Sequence, residues 1–265
     1  MDKIKLLDGH EYSVPDLLTR MMDDSFYYGE LNTLALSSSA LKLLLESPKK
    51  YYGITKYAQK LTSQPLRDGF LLHTLILEPK KFDKLHFVDV ISKNSKAYKD
   101  AVAEFGIVYT SKEKKDAERV ADALLRNEKA LQFLSGAEFE IPAIGLVQGM
   151  PFRGKADIIS KDILCDIKTT TDIKGFPYAA KKYGYDVQCY LYCELFGKHF
   201  LEFVFLVIDK GSLDIAEYRV SEEFYNKGKE KVTRAIATYK EFIEGKDWKT
   251  EISEGLDNYY IKGEL

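Results

Sequence analysis

Hydrophobic positions change period part-way along the chain. Up to about residue 135 they recur at helical spacing. Ser37-Ser38-Ser39 precede Leu41, Leu44 and Leu45, which predicts a helix started at a capping serine and ended at Pro48. Pro65 opens a second helix. In it Leu66, Phe70, His73 and Leu77 lie four, three and four residues apart, so they share one face turned toward the protein, and Pro79 closes it. A third helix is predicted over 112–134, charged at first and then carrying Val120, Leu124, Leu125 and Leu131.

Past Gly136 the period falls to two. Phe139, Ile141, Ala143 and Gly145 alternate with other residues, Gly149 supplies a turn, and Phe152 to Ile159 read as the returning strand of a hairpin. Ser160-Lys161-Asp162 turn the chain into a third strand, Ile163 to Lys168. A helix is predicted over 178–197, then paired strands Leu201 to Ile208 and Ile215 to Val220 around Lys210-Gly211, then an amphipathic helix over about 222–244. Helices, a three-strand meander, a helix, two strands and a helix make a mixed central sheet flanked by helices, α/β or α+β. With no repeat and no low-complexity linker, one domain is expected over 1–265, a helical part to about 135 and a sheet core over about 136–250.

Composition narrows this picture only modestly. The 265 residues are 45% hydrophobic and 30% charged, an ordinary globular balance that excludes disordered and collagen-like classes. No apolar run approaches the roughly 20 residues of a membrane helix, and no apolar stretch follows Met1-Asp2-Lys3-Ile4-Lys5, against a secretory signal. Cys165, Cys189 and Cys193 are too few for a disulfide framework, an iron–sulfur cluster or a cysteine-only zinc site, and fit small buried residues in a reducing, cytoplasmic setting. The net charge of −2 excludes a uniformly basic DNA coat. Locally the charge is uneven. Residues 1–35 and 241–265 are each net −4, 42–60 and 80–99 each net +4, and 168–182 net +3. This predicts a polarised surface, acidic outside and basic along a track to the chemistry.

That chemistry centres on Gly154-Lys155-Ala156-Asp157 and, eight residues after Ile159's neighbour Ile158, Asp166-Ile167-Lys168. Two acids on adjacent antiparallel strands can converge, and Asp166 and Lys168 point to the same face of one strand. Converging carboxylates repel unless a divalent cation lies between them, and a lysine beside the metal can orient or deprotonate a water, so the expected reaction is metal-assisted phosphodiester hydrolysis. His73 is a third candidate ligand on its helix face. Gln188 and Tyr192, four apart on the following helix, offer hydrogen bonds suited to phosphate oxygens or a base.

In this order, His73, Gly154-Lys155-Ala156-Asp157, Asp166-Ile167-Lys168-Thr169-Thr170 and Gln188-Cys189-Tyr190-Leu191-Tyr192, the chain resembles the PD-(D/E)xK nuclease superfamily. Within it the pattern looks like the exodeoxyribonuclease VIII (RecE-type) branch, related to the RecB nuclease domain and lambda exonuclease. Leu36 to Leu41, Ser47 to Tyr52, Gly69 to Pro79, Tyr183 to Gln188 and the Phe203–Ile208 strand extend the resemblance to roughly 35–250. Ala156 replaces the motif's usual proline, which offers no ligand, and Asp166 stands where other branches have Glu.

The resemblance implies a restriction-endonuclease-like core and a metal-dependent DNA exonuclease. It implies His73, Asp157, Asp166 and the Ile167 carbonyl as ligands to Mg²⁺ or Mn²⁺, two ions in all, with Mg²⁺ favoured by availability. Lys168 would position the attacking water, and Gln188 and Tyr192 would orient the strand. Ser37, Ser38 and Ser39 at a helix start would suit a DNA phosphate, the terminal 5′ one included. Glu138 would be a supporting acid before the hairpin. The implied activity is 5′→3′ resection of linear double-stranded DNA. Its implied partners are DNA ends, a RecT-type single-strand annealing protein and further copies of the chain in a ring, in a phage or prophage recombination system. An endonuclease of repair or defence and a non-catalytic DNA-binding relative are the alternatives.

Overall fold

A computed structural model describes residues 2–56, 63–246, 255–257 and 259–260. Most of the acidic 241–265 segment and the end of the basic 42–60 run lie outside the described residues.

The chain opens with a two-strand antiparallel hairpin, β1 (Lys3–Lys5) and β2 (Glu11–Ser13), and three short helices, α1 (Val14–Arg20), α2 (Asp24–Tyr28) and α3 (Leu31–Leu34). Ser13 and Asp23 cap α1 and α2 by accepting backbone N–H groups. Their apolar residues Leu17, Met21, Phe26, Tyr27 and Leu31 form a small core of their own. At Leu36 the chain makes one parallel bridge to Phe152.

Ser37 caps α4 (Ser38–Glu46), its hydroxyl accepting the Ala40 N–H. Pro48 ends α4 and also starts α5 (Pro48–Lys56), because proline's missing N–H costs nothing in a first turn. The same occurs between α6 (Gln64–Leu77) and α7 (Pro79–Phe82). Next come β3 (His86–Val88), α8 (Lys96–Phe105) and β4 (Val108–Thr110), the two strands forming a small parallel pair that the hydrophobic pattern does not predict. The helix expected over 112–134 is two, α9 (Ser111–Arg126) and α10 (Glu128–Leu134), because Asn127 leaves helical geometry and caps α10 by accepting two N–H groups.

The shared face expected for Leu66, Phe70, His73 and Leu77 is not the buried one. Leu66 is 56% and Phe70 38% exposed, while Leu71, Leu72, Thr74 and Leu77 are buried. The reason is that α6 has two apolar partners. Leu72 and Leu77 pack with the sheet and α9, and Leu71 packs with Phe82, Tyr109 and Ala117, so the buried stripe is rotated.

The main sheet runs β5 (Glu138–Val147), β6 (Met150–Ile159), β7 (Leu164–Thr170), β8 (Phe203–Asp209) and β9 (Ile215–Arg219), in that order. All pairs are antiparallel except β7 with β8, which are parallel and joined by α11 (Phe176–Lys182) and α12 (Tyr185–Phe196). The single helix expected there is broken at Gly184, whose φ of +65° suits glycine. β8 is buried at every position, as a strand covered on both faces should be. The last helix is α13 (Glu222–Phe242).

One face of the sheet packs on α4, α5, α12 and α13 through Leu41, Leu44, Cys189, Phe203, Phe205 and Val232. The other packs on α6, α9 and α10 through Leu72, Leu124, Cys165, Ile167 and Leu206. The three cysteines are free and buried. Among the described residues no helix is long and apolar enough to cross a membrane.

The α12–α13 contact is closest at Gly228. A Cβ there would lie 2.1 Å from the Asp186 carbonyl oxygen, part of a backbone that cannot swing aside. Gly228→Ala is therefore expected to destabilise the protein by about 3 kcal/mol or more, the upper end for overpacking, read as a lowered midpoint in urea.

Candidate active site

Two departures from a regular sheet create the site, both at Asp157. In a regular strand Ala156 and Ile158 would share a face. Here Ala156 packs into the core under α12 and Ile158 into the opposite core, so β6 changes face at Asp157. Across the hairpin, the pairs Phe139↔Ile158 and Ile141↔Ala156 bracket Glu140 opposite Asp157. Glu140 has φ +52°, a left-handed conformation that costs a side-chain-bearing residue on the order of 1–3 kcal/mol. The strain brings a third acid to the place where the strand turns over.

The second departure is a fork. β6 and β7 pair at Ile158↔Cys165 and Ile159↔Leu164 and then part. The Asp157 carboxylate fills the gap, its Oδ2 accepting the Ile167 N–H at 2.8 Å in place of a ladder bond. His73, carried in by α6, lies with Nδ1 3.3 Å from Asp157 Oδ2 and Nε2 2.9 Å from the Ile167 carbonyl oxygen. One ligand atom each from His73, Glu140 and Asp157 lies within 4.8 Å of the other two.

Asp166 and Lys168 stand beside this group. The Lys168 ammonium is ion-paired with Asp166 Oδ2, and Gln188 Nε2 donates to Asp166 Oδ1 at 2.5 Å. α12 can bring Gln188 this near because Gly154 has no side chain. A Cβ there would be 2.9 Å from the Tyr192 ring.

Sequence-predicted residues thus fall into two sets. His73, Asp157, Ile167, Asp166, Lys168 and Gln188 converge. Tyr192 is buried against Gly154, and burial pushes its phenol well above the ordinary value. Ser37 is buried as a helix cap and Ser39 is exposed. Glu138 sits exposed at the outer end of β5, opposite Ile159, and Glu140 takes the position beside Asp157 expected of a supporting acid. Glu140 was legible from the turn. A two-residue hairpin turn at Gln148-Gly149 pairs Val147 with Met150, and counting outward puts 140 opposite 157. Lys42 of α4 was also missed. It lies 5.0 Å from the Tyr185 ring centroid, as Lys168 does.

Six of the seven acids in residues 1–35 are exposed, and Asp24 alone is half-buried. Asp24 of α2 pairs with Lys81 and with Lys155, which is buried two residues from Asp157. The α1–α3 layer thus brings one acid to a lysine of the sheet and another of α7, and leaves its other acids on the surface.

Electrostatics follow from burial and crowding. Burial raises the Asp157 carboxyl, but His73, Lys168 and the Ile167 N–H outweigh it and hold it below the ordinary carboxylate range. Asp166 is raised, by burial and then by Asp157, despite Lys168. Glu140 is pushed up to about 7, by burial and then by Asp157. Burial lowers His73, but Asp157 outweighs it and raises the imidazole to about 9. Burial lowers Lys42 to about 8, and Lys168 adds to the shift. A protonated His73 can donate to both Asp157 and the Ile167 carbonyl, so a cation is already held between two oxygen ligands. Asp166 Oδ2 is buried with no hydrogen bond, only the Lys168 ammonium against it. Several crowded carboxylate oxygens, a backbone carbonyl and one imidazole make a donor set that fits Mg²⁺ or Mn²⁺.

Residues 37–258 match the family described as a PDDEXK-like domain of unknown function (DUF3799). The fold is similar to the crystal structure of an Eubacterium rectale protein named provisionally as an exonuclease. The TM-score is 0.62 at 18% identity, over 92% of this chain and 95% of that one. SSO0001 and a phage-related exonuclease from Haemophilus somnus 129PT align with TM-scores of 0.30 and 0.32, at 18% and 15% identity. They cover 78% and 70% of this chain and 88% and 96% of theirs. No curated protein matches the sequence.

Proposed function

Because the chain belongs to the PDDEXK-like family, and so to the PD-(D/E)xK nuclease superfamily, we propose that it is a metal-dependent DNA exonuclease that resects linear double-stranded DNA from its ends. The observation that carries this is the strand fork, where Asp157, Asp166 and Lys168 meet His73 and the Ile167 carbonyl. In the proposal His73, Asp157, Asp166, Glu140 and the Ile167 carbonyl would hold Mg²⁺ or Mn²⁺. Such an ion, when bound, acidifies its water and polarises a phosphodiester oxygen.

The protein's own groups do the rest. Lys168 would orient the attacking water and offset charge developing on a non-bridging phosphate oxygen. Asp166 holds Lys168 in place, and Gln188 fixes Asp166. Gly154 lets α12 approach, which sets the height of Gln188. A 5′→3′ direction, an annealing partner and a ring of copies belong to the same proposal and rest on the motif resemblance.

The test is direct. Purified protein with Mg²⁺ or Mn²⁺ is expected to degrade a 5′-labelled linear duplex, to stop in EDTA, and to leave a covalently closed circle intact. Nicking of the circle would favour an endonuclease. A linear duplex left whole with both metals would exclude the enzyme and leave a DNA-binding relative.

A further inference from the structure

Next to the fork, α11 and its flanks carry a set of side chains that packing does not use. Tyr178 is 74% and Tyr183 56% exposed. Lys174, Lys181 and Lys182 are exposed as well. Tyr178, Lys181 and Lys182 share one face of the helix by their three- and four-residue spacing. Elsewhere the protein pairs surface lysines with acids one turn away, as in Lys50 with Glu46, Lys112 with Asp116, and Lys227 with Glu223. Among the described residues Lys174, Lys181 and Lys182 have no ion-pair partner. Asp172, the one acid between Lys168 and Tyr185, is exposed and engaged in a local turn, its Oδ1 accepting the Gly175 N–H at 3.0 Å.

These groups lead to the catalytic lysine. The Lys182 ammonium lies 5.8 Å from the Tyr183 ring centroid. The Tyr183 and Tyr185 rings are 6.2 Å apart. The Tyr185 ring is flanked by the ammonium groups of Lys42 and Lys168, each 5.0 Å from its centroid. Aromatic rings and ammonium groups therefore run together from the unpaired Lys182 on the outer surface of α11 to Lys168, which is paired with Asp166. Aromatic faces stack on bases of any sequence, and ammonium groups follow the phosphates. That combination suits an unpaired strand, whose bases are free to stack, and not a duplex, whose bases are already stacked.

We propose that the α11 surface, from Tyr178 through Lys182 and Tyr183 to Tyr185, is a single-stranded DNA track that holds unpaired nucleotides of the strand entering the metal site. The inference rests on the nuclease reading for what lies at the inner end, and on α11 alone for the binding. An exonuclease working on duplex must separate the last pairs before the scissile phosphate reaches the metal. A stacking surface beside the site stabilises the separated bases.

Fluorescence anisotropy of a labelled twelve-nucleotide oligothymidylate, in EDTA, tests it. Tyr178→Ala with Tyr183→Ala is expected to weaken binding by at least about five-fold, the lower end for one lost base stack. Affinity for a closed circular duplex should not change. Lys181→Ala with Lys182→Ala should flatten the slope of log affinity against log salt by about 1.4, and the tyrosine pair should leave it alone. Metal-dependent hydrolysis of bis(4-nitrophenyl) phosphate, a diester with no flanking nucleotides to lie along α11, should be the same in wild type and in the tyrosine variant, which also shows that the variant is folded. Unchanged oligothymidylate affinity in the tyrosine variant, or an equal loss on duplex, overturns the track. If the wild type hydrolyses neither DNA nor the small diester, the nuclease reading fails by itself, and the anisotropy still decides the track.

Discussion

Lys168→Ala is expected to lower metal-dependent hydrolysis of a linear duplex by about 10²–10⁴-fold, the range for losing a positioned proton-transfer group or a transition-state charge partner. Lys168 is ion-paired with Asp166 and lies 5.0 Å from the Tyr185 ring, so its ammonium is held still before substrate arrives. Lys168→Arg should fail almost as badly, because a wide planar guanidinium does not fit a place shaped for a compact ammonium. The variant also has a pH signature. Burial and Asp157 already raise the Asp166 carboxyl, and losing Lys168 removes the chief group opposing them. A carboxyl raised in the folded state favours folding while protonated. Stability of Lys168→Ala should therefore fall more steeply than that of wild type as pH climbs from about 4. Thermal melts between pH 4 and 8 measure this, and rate assays at pH 8 measure the chemistry. Undiminished hydrolysis in a folded Lys168→Ala protein would remove this residue from the reaction.

The second large effect concerns His73. Its imidazole is raised to about 9 in the metal-free protein, because Asp157 outweighs the effect of burial. The group stabilises the fold fully below its unfolded value of about 6.5. That contribution, on the order of 3 kcal/mol, is lost as pH rises from 6.5 through 9. A metal ligand must be the neutral imidazole, so binding a divalent ion should expel this proton. Titration calorimetry at pH 7.5, in buffers of different ionisation enthalpy, is expected to show close to one proton released with the first metal ion. Affinity should increase with pH up to about 9. His73→Ala should remove most of the release, leaving the fraction from Glu140, and weaken binding by about 10–100-fold or more, since even groups that only support a ligand contribute that much. Proton release unchanged in His73→Ala would place the metal elsewhere.

Much of this was legible before any coordinates. The period change near Gly136 separates helices from sheet, and the strands of the meander lie within two residues of their expected ends. The spacing of Asp157, Asp166 and Lys168 was sufficient to anticipate a hairpin-borne acid pair with a lysine. Local patterns work here because strand alternation and turn chemistry act over a few residues. They failed where a second partner intervened. α6 is wedged between two cores, so its buried face is not the one its most regular apolar spacing marks. Glu138 and Glu140 look alike as acids on one strand face, and only the count from the Gln148-Gly149 turn separates them. Lys42 and Lys168 are far apart in sequence, and nothing local links them to one tyrosine ring.

By itself, then, the sequence determined the order of the five main-sheet strands, the hairpin and its turn, and which side chains could do chemistry, since each depends on neighbours a few residues away. Tertiary structure alone decided that β6 turns over at Asp157, that β6 and β7 part to make room for its carboxylate, and that His73 arrives from α6 to hold that carboxylate and the Ile167 carbonyl together. It also decided that the acidic N-terminal layer lies on the sheet with Asp24 against Lys155. The physical reason is common to all of these. Burial makes an unpaired charge costly, so each charged group settles against whichever partner packing brings within reach, and packing joins residues that the chain keeps far apart.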